Sequence, residues 1–94
     1  MEKYKIDYHP LVVKKDIPRL GSAGVTVETS IRKKLTLRPD IYGRRLRGVL
    51  KGYWKLRVSD WRVVYEIFNK EVKIFGIIHR SDDYKTIIKR AGLI

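Results

Sequence analysis

The stretch Tyr53-Trp54-Lys55-Leu56-Arg57-Val58-Ser59-Asp60-Trp61-Arg62-Val63-Val64-Tyr65-Glu66-Ile67-Phe68 decides the fold. Polar and apolar residues alternate from Tyr53 to Val58, Ser59-Asp60 makes a turn, and alternation resumes from Trp61 to Phe68. Period-two patterning on both sides of a two-residue turn predicts an antiparallel hairpin. Asn69-Lys70 is a second turn, and Glu71 to His79 is a third run rich in Val, Ile and Phe. With two-residue loops in both hairpins, Val58 faces Trp61, Leu56 faces Val63 and Trp54 faces Tyr65. In the next pair Tyr65 faces Ile74, Val63 faces Gly76 and Trp61 faces Ile78. These residues share one side of the sheet, and nearly all are large and apolar. That side is the expected core face, with helices covering it.

The same register gives the other side Tyr53, Lys55 and Arg57, then Arg62, Val64, Glu66 and Phe68, then Lys73, Phe75, Ile77 and His79. Arg57 opposes Arg62, a like-charge pair that destabilises a sheet by a few tenths of a kcal/mol or more. An anion held between the two guanidinium groups reverses the sign of that effect. His79 is expected one strand beyond, beside Asp60. Arg80 leaves the third strand next to the same face, and Tyr84 follows about one helical turn later. Any one of these cations reads as an ordinary solvated charge. The convergence of Lys55, Arg57, Arg62, His79 and Arg80 reads as a site. Glu66 reads as the counter-ion of Lys73, and Trp54 and Trp61 point inward.

Working outward, Lys3 to Tyr8 alternates with Tyr4, Ile6 and Tyr8 on one side, a short strand. His9-Pro10 opens a helix in which Leu11, Lys14, Lys15 and Ile17 follow at helical spacing, and Pro18 is expected to kink or end it. A second helix runs from about Ser22 to Leu37 with Val27, Ile31 and Leu35 on its buried stripe, and Pro39 is expected to stop it. Ser81, Asp82 or Asp83 caps a last helix in which Tyr84, Ile87, Ile88 and Ala91 can pack. The order is strand, helix, helix, three antiparallel strands, short C-terminal helix: an α+β domain with its helices on one face of the sheet, spanning 1–94 as a single unit.

Composition points to an anionic partner. Lys and Arg total 22 against 10 Asp and Glu, a net charge of +12. The excess is concentrated: 44–62 holds seven basic residues (Arg44, Arg45, Arg47, Lys51, Lys55, Arg57, Arg62) and one acid, Asp60. Nucleic acid is the leading partner, an acidic protein the next and a membrane surface the third. The chain has no cysteine, which excludes disulfides, zinc–thiolate sites and thiol nucleophiles. The charged start Met1-Glu2-Lys3-Tyr4-Lys5 is unlike a secretory signal, and no apolar run approaches the roughly 20 residues of a membrane span. A cytoplasmic protein with no membrane partner is expected.

The segment Leu46-Arg47-Gly48, the run from Tyr53 to Ile67, and Ile78-His79-Arg80 followed by Tyr84 together resemble the RelE branch of the RelE/ParE toxin superfamily over essentially the whole chain. The resemblance implies a small RelE-like fold and the toxin of a type II toxin–antitoxin pair. It implies a metal-independent endoribonuclease, with no cofactor, that enters the ribosomal A site. There it cuts messenger RNA by attack of a ribose 2′-OH on the adjacent phosphate. A RelB-like antitoxin is the implied partner, in a heterodimer or heterotetramer, alongside mRNA and ribosomal RNA. By position, Lys55 matches a lysine that activates the nucleophile or stabilises charge. Arg62 and Arg80 match arginines that hold the scissile phosphate, and Tyr84 matches a tyrosine that orients or deprotonates the 2′-OH or stacks on a base. His79 falls where some relatives place a His or Lys near the leaving group. Tyr53 stands where relatives carry a second lysine. Arg57, Lys51, Arg47, Arg45 and Arg44 are the expected RNA-binding cations. Two rivals stand beside this reading: a ParE-like toxin that poisons DNA gyrase without cutting nucleic acid, and a non-catalytic RNA-binding module.

Overall fold

The computed structural model describes residues 3–94, so Met1 and Glu2 of the charged start lie outside the described residues. Nine named elements carry the fold: strands β1 (Lys5–Tyr8), β2 (Arg44–Arg45), β3 (Trp54–Val58), β4 (Trp61–Phe68) and β5 (Glu71–His79), with helices α1 (Ile17–Leu20), α2 (Gly24–Ser30), α3 (Pro39–Tyr42) and α4 (Lys85–Arg90). The strands form one sheet in the order β1-β5-β4-β3-β2. β1 is parallel to β5 and every other pair is antiparallel. The α+β class and the central three-stranded meander agree with the expectation; the two-residue β2 is an addition to it.

One face of the sheet packs against the helices that follow β1. Val12, Leu20, Val27, Ile31 and Leu35 from that helical layer meet Leu56, Val58, Val63, Tyr65, Val72, Ile74 and Ile77 from the strands. The stripe of Val27, Ile31 and Leu35 is buried as predicted. In the first helical stretch the buried positions are Val12, Asp16 and Leu20, four residues apart, and Lys14, Lys15 and Ile17 are exposed. Pro18 does not end the first helical stretch, whereas the second ends at Leu35, ahead of Pro39 as expected. Residues Val12–Asp16 form a π turn in which the Ile17 N–H reaches back to the Val12 carbonyl, and the chain continues into α1 with Pro18 at its start. A proline in a first turn gives up an N–H that has no helical partner there. Pro39 likewise begins α3, and its carbonyl accepts a 2.7 Å hydrogen bond from the buried Tyr65 hydroxyl.

The second face carries a smaller core: Leu50, Val64, Ile78 and Ile87, with Leu46, Tyr53, Phe75, Tyr84 and Ile88 around it. α4 therefore covers the face opposite the other helices, a departure from the expectation of helices on one face only. Its N-cap position is Tyr84 and no side chain caps it, a departure from the expected Ser81, Asp82 or Asp83 cap; the Lys85 N–H donates to Asp83 Oδ1 at 3.0 Å.

The strand register agrees for the first hairpin and changes within the second. β3 and β4 pair Val58 with Trp61, Arg57 with Arg62, Leu56 with Val63 and Trp54 with Tyr65. β4 and β5 pair Tyr65 with Ile74, as expected, but then Val64 with Gly76, Val63 with Ile77, Arg62 with Ile78 and Trp61 with His79. Phe75 is the extra residue of a β-bulge, and every β5 side chain beyond it changes face. Ile77 thus joins the larger core and Ile78 the smaller one.

The bulge lies against a buried ion pair. Arg90 donates from its two terminal nitrogens to Asp16 Oδ2 at 2.6 Å and Oδ1 at 2.8 Å. Their side chains are only 6% and 5% exposed. Asp16 Oδ2 also accepts the Ile77 N–H at 2.9 Å, and Arg90 donates to the Phe75 carbonyl at 3.1 Å. The arrangement ties the first helical stretch, the bulge and α4 to one point. Removing one member leaves the other as an unpaired buried charge.

Two stability outcomes follow. Asp16→Ala is expected to cost about 3–5 kcal/mol, read as a lower denaturant midpoint at equilibrium. A Cβ on Gly43 would collide with the Tyr65 hydroxyl and come within 3.2 Å of the Lys55 carbonyl. Gly43→Ala is therefore expected to cost about 1–3 kcal/mol in the same assay.

Candidate active site

β3 and β4 place two arginines side by side. Arg57 and Arg62 are direct cross-strand partners, so their side chains leave the same face of the sheet. Lys55 precedes Arg57 by two residues on that face, about 7 Å along the strand, and lies diagonal to Arg62. Arg44 on β2 is the cross-strand partner of Lys55 and extends the row to the sheet edge. On β5, Ile78 opposes Arg62, so the next residue with that orientation is Arg80. Arg44, Lys55, Arg57, Arg62 and Arg80 thus share one face.

Little inside the molecule neutralises this row. Arg62 donates only long hydrogen bonds, to the carbonyls of Ser59 at 3.4 Å and Trp61 at 3.2 Å. Arg80 meets Asp60 at 3.5 Å with both side chains more than half exposed, so the pair is weak. The firmer tie at that corner is through the backbone, the Arg80 N–H donating to the Asp60 carbonyl at 2.7 Å. Among the described residues no ion pair engages Arg44, Lys55, Arg57 or Arg62. Such a row is poised for an anion, because its like charges repel until one is bound.

Tyr84 stands at the start of α4, half-buried, and packs on the smaller core that underlies this face. Tyr53 packs on the same core, edge-on to Phe75 with ring centroids 5.2 Å apart. Burial, and then the Glu66 carboxylate, push the Tyr53 phenol up from its ordinary value. It therefore holds its proton at neutral pH and can donate but not abstract.

Three expectations for the site are corrected. His79 is not on the face with Arg62; the bulge turns it to the helical side, where it stands edge-on to Trp61 with ring centroids 5.2 Å apart. There its Nδ1 lies 2.7 Å from Ser81 Oγ and accepts the Ser81 N–H at 3.2 Å. Asp60 is paired with Arg80 and not with His79. Arg45, next to Arg44, pairs with Trp54 and lays its guanidinium 5.1 Å from the centre of that indole, on the helical side. Arg47 and Lys51 are exposed in the connection whose Leu46, Leu50 and Tyr53 cover the second face.

Sequence reading missed Asp16 and Arg90, which do not touch the cationic row but fix the strand that carries Arg80. A signal existed for one of them. Asp16 stands four residues from both Val12 and Leu20, a carboxylate on an otherwise apolar helical stripe.

Comparison with known proteins gives this geometry a family. The model of the ParE toxin of type II toxin–antitoxin systems matches residues 13–84. The mRNA interferase toxin RelE of Escherichia coli (strain K12) is 34% identical over 95 residues, covering 93% of this chain and 96% of that protein. The mRNA interferase RelE of Shigella flexneri matches to the same extent, 34% over 95 residues. Among solved structures, the toxin–antitoxin complex RelBE2 of Mycobacterium tuberculosis has a chain that superposes with a TM-score of 0.71 at 22% identity, over 83% of this chain and 99% of that one. A free-state mutant of E. coli toxin RelE superposes with a TM-score of 0.70 at 21% identity, over 96% and 95% of the two chains. The family match spans most of the chain and the relatives match nearly end to end, so this chain belongs to the RelE/ParE toxin family of type II toxin–antitoxin systems.

Proposed function

We propose that the chain is an endoribonuclease toxin that cleaves messenger RNA, without a metal ion, on the face carrying Arg57 and Arg62. The opposed, unneutralised arginine pair carries this reading. In-line attack of a 2′-OH builds negative charge on a five-coordinate phosphorus, and preorganised cations aimed at that charge are the strongest catalytic device available to a site of this composition. Arg62 and Arg80 are assigned to the scissile phosphate, because a guanidinium fork meets two phosphate oxygens at once. Lys55 is assigned to the nucleophile or to the charge that develops beside it. Tyr84 is assigned to orienting the 2′-OH or the neighbouring base. Arg44 and Arg57, with the exposed Arg47 and Lys51, are assigned to the flanking backbone, where each phosphate contact adds salt-dependent affinity. His79 loses the proton-donor role, because its ring faces Trp61. Proton transfers then fall to Lys55, Tyr84 and water.

The substrate is RNA and not DNA, because the nucleophile is the 2′-OH itself. A site with cations and no strong base suits a substrate strained into line by a larger assembly, which favours the ribosomal A site as the place of cleavage. The partner that silences the toxin is an acidic, partly helical antitoxin of the RelB kind, in a heterodimer or heterotetramer. The match to the ParE model favours one second reading, a toxin that inhibits gyrase by binding it.

Primer extension in a translating extract decides between them. The chain is expected to produce new 5′ ends within codons. Arg62→Ala and Arg80→Ala are each expected to lower the cleavage rate by about 10²–10³-fold, since each removes one preorganised donor. Intact message together with blocked gyrase supercoiling would select the second reading.

A further inference from the structure

We infer that Asp16 and Arg90 are positioning residues: by holding the β5 bulge they select Arg80, and not His79, for the face that carries Arg62. The inference rests on the nuclease reading for its catalytic consequence, but its structural content does not.

The argument starts from β5 as a regular strand. Continued from the Tyr65–Ile74 pair without a bulge, it would set Ile77 opposite Arg62 and turn His79 to the cationic face. The extra residue at Phe75 instead sets Ile78 opposite Arg62. Arg80 then takes the place His79 would have had. One residue of slippage therefore exchanges an imidazole for a guanidinium beside the proposed phosphate.

A bulge displaces backbone groups from the ladder, and buried ones need partners. β1 stops pairing at Ile74, which leaves the later part of β5 without a strand on that side. Asp16 and Arg90 supply the missing partners. Asp16 Oδ2 accepts the Ile77 N–H and Arg90 donates to the Phe75 carbonyl, one on each side of Gly76. The two-pronged Asp16–Arg90 pair locks these contacts together, and its burial keeps water from competing for them. Gly76 completes the device. A Cβ there would collide with Ile87 Cδ1 and lie 3.4 Å from the Arg90 guanidinium, so glycine lets α4 close over the bulge without displacing the buried Ile87 side chain. The same closure seats Tyr84 at the start of α4.

A variant without the pair separates positioning from stability. Replacing a buried ion pair with apolar residues of similar size is often neutral for folding. The double variant Asp16→Leu, Arg90→Met is expected to unfold cooperatively near the parent's midpoint, yet to lose the bulge. By NMR it should lose the contact between the Trp61 and His79 rings and the exchange protection of the Ile77 amide. In the cleavage assay kcat should fall about 100-fold with KM little changed, as for a misplaced catalytic group. Adding Arg80→Ala should then cost nothing more, whereas adding Lys55→Ala should cost what it costs in the parent. If the double variant does not unfold cooperatively, Arg90→Lys, a compact ammonium that loses the two-pronged grip of the guanidinium fork on Asp16, is measured in the same ways with the same expectations. Retention of the Trp61–His79 contact in a folded variant, or an Arg80→Ala penalty as large as in the parent, would overturn the inference. Should the parent itself cut no message, the nuclease reading fails alone, and the NMR measurements decide this inference.

Discussion

The contact on which the rest of the molecule depends is the hydrogen-bonded pair of Asp16 and Arg90. Three pieces of chain meet there through polar groups: the π turn after β1, the irregular middle of β5 and the last turn of α4. An ion pair taken out of water is not in itself a gain, because desolvation offsets most of the attraction. Its worth here is geometric. Two backbone groups on β5 that have no strand beside them find their partners on these two side chains, and the sheet can change phase in its interior without leaving a polar atom stranded.

That phase change divides the labour of the two faces. Before Phe75, β5 gives Val72 and Ile74 to the larger core; after it, the same core receives Ile77, while Ile78 goes to the smaller one. The cationic row lies along the edge of the smaller core, backed by Val64 and Ile78 and closed at one end by α4. Repulsion among Arg44, Lys55, Arg57 and Arg62 is carried by this rigid backing, so the row exists before any anion arrives. Preorganisation of that kind removes the reorganisation that flexible cations on a loop would require.

Much of this was legible in the residues. The Ser59-Asp60 turn fixed the β3–β4 register, and with it the opposition of Arg57 and Arg62, because a two-residue loop allows one pairing only. The buried stripe of Val27, Ile31 and Leu35 followed from spacing alone. What escaped was the part governed by tertiary partners. A β-bulge is hard to place in a run such as Val72-Lys73-Ile74-Phe75-Gly76-Ile77-Ile78, where either phase beyond Ile74 puts apolar residues on both faces, so alternation alone sets His79 on the wrong side. Gly76 was a hint, since glycine within a strand often marks a bulge or a close approach. Pro18 did not end its helix for a related reason. A proline excludes one hydrogen bond, and the chain answers by widening the preceding turn or by beginning a new one, choices set by what lies beneath. The family resemblance, by contrast, was visible in short contiguous motifs and needed no register.

The parallel pairing of β1 with β5 has a consequence for how the chain comes together. Lys5 lies beside Glu71, and Asp16 reaches a partner 74 residues later in Arg90. Contacts so distant in sequence are slow to form, because a long loop must close before they reward it. During synthesis the β3–β4 hairpin can form as soon as it emerges, but the edge strand must wait for β5 and Asp16 for α4. The nascent toxin is therefore incomplete until its last helix is made. Its final turn acts as a latch on assembly, closing on Asp16 only once α4 is in place.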